Sequence, residues 1–95
     1  MAKNKSNTDF IIEADGFATI TLARPEKVNG VQQAELRMRE PTVGDWKIIN
    51  NFKGSEADKE ILGIANLCDC SPKCVEGFSL RNMARAQAAF ALFTS

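Results

Sequence analysis

Histidine is absent from this 95-residue chain, which removes the side chain most often used as a general base at neutral pH. The Asp and Glu residues are spread as isolated charges rather than gathered into a paired constellation. No glycine follows a strand-like run with the Gly-x-Gly or Gly-Lys-Ser/Thr spacing that cradles a phosphate. Nothing supplies a base or an orienting third group to activate Cys68 or Cys74 as a nucleophile. The chain therefore reads as non-enzymatic, with no catalytic residue and no cofactor. Net charge is also lacking: 12 Lys and Arg balance 12 Asp and Glu, so no summed attraction draws the chain to nucleic acid or to a membrane surface.

Long apolar runs are missing as well. The longest, Ala88 to Phe93, is far short of the ~20 residues that cross a bilayer. Met1 to Thr8 is polar and has no apolar stretch of the signal-peptide kind, so the expectation is cytoplasmic residence. Cysteine is scarce but clustered, at Cys68, Cys70 and Cys74. A structural zinc site needs four ligands, normally Cys or His, and a fourth is not present. No metal is expected. The three read as reduced thiols near a helix end, one or two of them buried as small hydrophobes.

What is there suits one small α+β domain, an N-terminal β-hairpin followed by a compact cluster of three to four helices. Residues 1–15 read as a flexible arm whose apolar patch, Phe10-Ile11-Ile12, is free to pair as an edge strand. Residues 16–95 read as the domain, with the hairpin over 16–40 and the helical part over 41–95. Ala18, Ile20 and Leu22 alternate with Thr19 and Thr21, and Ala34, Leu36 and Met38 alternate with Glu35, Arg37 and Arg39. Asn29-Gly30 supplies the turn between the two runs. These six apolar side chains are predicted to face the helices.

Pro41 ends the second strand, and Thr42 with Asp45 forms the pattern of a capping box, opening a helix that runs to about Phe52. Trp46, Ile49 and Phe52 share one side of it; Trp46 and Phe52 are read as core. A second helix opens at Ser55 with Asp58 in the reciprocal position, and carries Ala57, Ile61, Ile64, Ala65 and Cys68 as its stripe. Ser71-Pro72 opens a short helical turn closed by Gly77. The last helix is capped by Ser79 and extends to about Phe93.

From Ala86 onward that last helix is polar only at Gln87 and the terminal Thr94 and Ser95, so it presents apolar surface on more than one side. Such a helix is buried in its own core or in a partner. On the second alternative, Met83, Phe90, Leu92 and Phe93 are the candidate protein-interaction residues. A DNA-binding regulator is a competing reading, with Arg81 and Arg85 four apart on the final helix, and the neutral net charge argues against it.

In order and spacing, Ile20-Thr21-Leu22, Pro25, Asn29-Gly30, Leu36 through Asp45, Ser71-Pro72 and Ser79 through Phe90 resemble the tail assembly chaperones of temperate contractile-tailed phages. The resemblance spans roughly Ala18 to Phe93. It implies a non-catalytic chaperone that keeps the tape measure protein soluble and promotes polymerisation of tail tube protein around it. It also implies residence in the host cytoplasm, absence from the mature virion and a longer form made by frameshifting, while the apolar last helix offers a surface for a homo-oligomer. A small structural tail component is the other reading of the same resemblance. One departure stands out: Asn82 occupies a position where the family is expected to carry an acidic residue.

Overall fold

The computed structural model describes residues 9–94, and the expected flexible arm lies outside the described residues over its first eight positions. Three strands, β1 (Ile11–Ala14), β2 (Phe17–Val28) and β3 (Val31–Arg39), form an antiparallel sheet in the order β1-β2-β3. Four helices follow: α1 (Val43–Asn51), α2 (Glu56–Leu67), α3 (Pro72–Glu76) and α4 (Leu80–Thr94). Both hairpin turns use the same chemistry. Asp15-Gly16 and Asn29-Gly30 hold positive φ at both residues, the twist-compatible two-residue turn that Asp-Gly and Asn-Gly sequences favour. The apolar patch of the arm thus pairs as an edge strand, with Ile11 opposite Ile20 and Ile12 opposite Thr19.

Period-2 alternation puts Ala18, Ile20, Leu22, Leu36 and Met38 on the buried face, with Ile20 directly opposite Leu36 and Ala18 opposite Met38. Ala34, predicted to join them, is exposed. The reason is a break in register: pairing jumps from Thr21↔Glu35 to Glu26↔Gln33, so the segment from Leu22 to Pro25 bulges opposite Ala34 alone. The bulge bends β2 and leaves the Ala34 methyl uncovered. It also lets β2 run through Pro25, so the two strands extend to a tight turn instead of ending at a long connection.

Against this face pack Ile64, Ala65, Leu67 and Cys68 of the α2 end, Val75 and Phe78 of the α3 region, and Ala86 and Ala89 of α4. Ala86 and Ala89 are fully buried, and their small size lets the helix lie close to β2. The caps form as the sequence pattern predicts. Thr42 with Asp45 and Ser55 with Asp58 make reciprocal boxes, Ser71 accepts from the Cys74 amide, and Ser79 Oγ accepts from the Asn82 amide at 3.1 Å. At its other end α2 stops in a left-handed residue, Asp69, with the Cys70 and Asp69 amides folding back to Ala65 and Asn66 carbonyls.

Asn82 is the polar exception within this core, with 0 % of its surface exposed. Its Oδ1 accepts from the Ala23 amide at 2.7 Å, and its Nδ2 donates to the Arg24 carbonyl at 2.9 Å and to Glu26 Oε2 at 2.7 Å. Glu26 Oε2 accepts in turn from the Ser79 amide at 2.8 Å. One side chain on α4 thereby satisfies an amide and a carbonyl that the β2 bulge takes out of the ladder.

Candidate functional site

The segment from Arg39 to Asp45 joins the sheet to α1 and fixes how that helix stands. Arg39 donates through both terminal nitrogens to Asp45, at 2.7 Å to Oδ2 and 2.9 Å to Oδ1, a bidentate pair across the Pro41 turn. Asp45 Oδ2 also accepts from the Thr42 amide and hydroxyl. The Arg39 guanidinium and these hydrogen bonds, outweighing the cost of burial, hold the Asp45 carboxyl well below the usual carboxylate range.

That shift has a pH signature. Because the folded carboxyl is more acidic than the unfolded one, at about 3.9, its contribution is complete above that value and disappears as pH falls through the folded one. Asp45→Asn is expected to cost about 1–2 kcal/mol at pH 7, the partial exposure of Arg39 limiting the effect. The gap between variant and wild type should narrow progressively as pH falls below about 3.9 in denaturant titrations. A gap that is independent of pH would assign the loss to packing instead.

The ion pair occupies the side of α1 that turns toward the body, where Asp45 is the helix's one buried residue. Trp46 and Phe52, expected in the core, are 65 % and 40 % exposed, and Val43 is 79 % exposed. The helix is nine residues long and its inward stripe is used up by Asp45 and Ile49, so no element among the described residues covers its flanks. Ile49 seats against Gly63 of α2, where an added Cβ would lie 2.8 Å from the Ile49 Cδ1. Gly63 thus admits α1.

On one flank α1 and the end of α4 enclose a cleft of about 430 Å³ lined by Pro41, Val43, Trp46, Ile49, Phe90 and Phe93, with polar groups at its ends from Thr42, Asp45 and Thr94. On the other flank, between α1 and α2, lies a second cleft of about 480 Å³ that shares Ile49 and Phe90 and has a charged rim of Glu56, Lys59 and Glu60. Of the residues proposed for interaction from the sequence, Phe90 and Phe93 come together in the first cleft. Met83 packs half-buried against the core, and Leu92, 39 % exposed, does not line either cleft. Sequence reasoning missed the α1 wall. Its signal was the Trp46–Ile49 spacing, whose destination was misread.

The remaining candidates are engaged elsewhere. Arg85 donates to the Thr21 carbonyl at 2.7 Å and stacks over the Phe10 ring, so it ties α4 and β2 to the residue just before β1. Cys68 and Cys70 are pushed up to about 12, first by burial and then by the neighbouring thiols, which keeps them protonated at neutral pH. Cys74 Sγ donates to the Lys27 carbonyl at 3.4 Å, holding α3 to the end of β2. Among the described residues no group of three or more His, Cys, Asp or Glu side chains is arranged to hold a metal ion, and no helix is long and apolar enough to cross a membrane.

An apolar cleft left open on a small scaffold is the kind of surface that marks an interaction site. Searches among curated proteins and among solved structures return no match. A family model described as "Phage tail assembly chaperone proteins, E, or 41 or 14" matches residues 19–95, from within β2 through both walls of the cleft. With that match covering most of its length, the chain belongs to the phage tail assembly chaperone family.

Proposed function

We propose that this tail assembly chaperone binds the tape measure protein through the cleft between α1 and α4, and so promotes polymerisation of tail tube protein around it. The observation that carries the reading is the exposed Trp46 on the wall of a cleft whose other sides are Val43, Ile49, Phe90 and Phe93. Apolar surface of this kind, left open on a folded scaffold, accepts the apolar face of an amphipathic helix at i, i+3, i+4 and i+7. A long helical protein needs such cover until its own partners arrive. The chaperone acts in the host cytoplasm, performs no covalent chemistry, and departs before the virion is complete.

Coexpression tests this directly. The soluble yield of the tape measure protein should rise when this chain is present, and deleting its gene should leave capsids without tails. Normal tails in the deletion strain, or abundant copies of the chain in purified virions, would favour a structural tail component.

A further inference from the structure

The two clefts flanking α1 share the lining residues Ile49 and Phe90, so the helix is seated on the body along a narrow line with open space on either side. Along that line Ile49 rests in the notch left by Gly63. The principal packing partner of α1 is α2, and its N-terminal end is tied to the sheet by the Arg39–Asp45 pair. A helix of nine residues has little stability of its own, since isolated helices shorter than about 12–15 residues are marginal in water. Pro41 precedes it and Gly54 follows it, and neither continues a helix.

We propose that α1 is a strap that lifts from the α2–α4 body as one unit while the sheet and the other helices stay folded. Lifting withdraws Ile49 from the Gly63 notch and merges the two clefts into a single channel with Ile64 and Phe90 on its floor and Glu56, Lys59 and Glu60 along one side. The Arg39–Asp45 pair and the Thr42 cap sit at the end where the strap joins the sheet, and they oppose its release. The device belongs to the free protein, and it stands or falls separately from the identity of what the cleft binds.

Native-state hydrogen exchange of the full chain, read by segment, is the test. The hydrogen-bonded amides of α1 should exchange at least about tenfold faster than the slowest amides of α2 and α4, because a nine-residue helix lifted off the body melts without global unfolding. Ile20→Val, a mild loss in the core remote from α1, separates the two routes. It should speed the slowest α2 and α4 amides about threefold or more and leave α1 unchanged, since the core stays intact when the strap lifts. Exchange of α1 at the rate of α4, or acceleration of α1 in step with α4 in Ile20→Val, would overturn the proposal.

Discussion

Asn82→Ala is expected to lower stability by about 3 kcal/mol, because the Ala23 amide and the Arg24 carbonyl lose their partner inside the bulge. At about 4–8 °C per kcal/mol for a domain of this size, the midpoint of thermal unfolding should fall by roughly 12–24 °C. Asn82→Asp should be as damaging at neutral pH for a different reason. An introduced carboxylate still accepts from Ala23, but it faces Glu26 Oε2, which the native amide approaches to 2.7 Å, and two carboxylates that close do not both ionise. The pair's folded pKa is then raised, so the penalty is present above that value and relieved as pH falls through it. Thermal melts at pH 7 and pH 5 should show Asn82→Asp recovering relative to wild type while Asn82→Ala does not. Equal behaviour of the two variants would mean that the amide acts through shape alone. Asn82, where the resemblance leads one to expect an acidic residue, both accepts and donates in this bulge, and an ionised carboxylate only accepts.

Trp46→Ala should weaken tape measure binding by about 2 kcal/mol or more, roughly thirtyfold in Kd, since a tryptophan on the wall of an apolar cleft is the usual kind of dominant contact. Folding stability should change by less than about 0.5 kcal/mol, because 65 % of the residue already faces water. Isothermal titration with a tape measure segment, beside a urea melt of the free protein, measures both quantities. Loss of folding together with binding would return Trp46 to the core; retention of full affinity would move the interface off this cleft.

Much of the fold could be read from short-range pattern. Alternation around Ile20 and Leu36 located the buried face, and Thr42, Ser55, Ser71 and Ser79 marked where four helices begin, since a cap is decided within three residues of itself. Ala34 was misplaced because the bulge opposite it is stabilised by a side chain 59 residues away from Ala23, a dependence that period-2 reasoning does not contain. Trp46 and Phe52 were misplaced for a related reason. Helical spacing shows that side chains share a face, but whether another element covers that face is a property of the assembled domain. Of the candidate cleft, the wall from the apolar end of α4 was legible in the sequence; the wall from α1 depends on how the Arg39–Asp45 pair seats that helix, which spacing does not contain.

Trp46 is the single tryptophan of the chain and lines the cleft, so its fluorescence reports directly on what fills it. A tryptophan-free helical segment of the tape measure protein, titrated into the purified chaperone, should shift the Trp46 emission to shorter wavelength with saturation, as water leaves the indole. No shift at concentrations where the segment is shown to bind would contradict docking between α1 and α4, and absence of binding by every segment would contradict the function proposed.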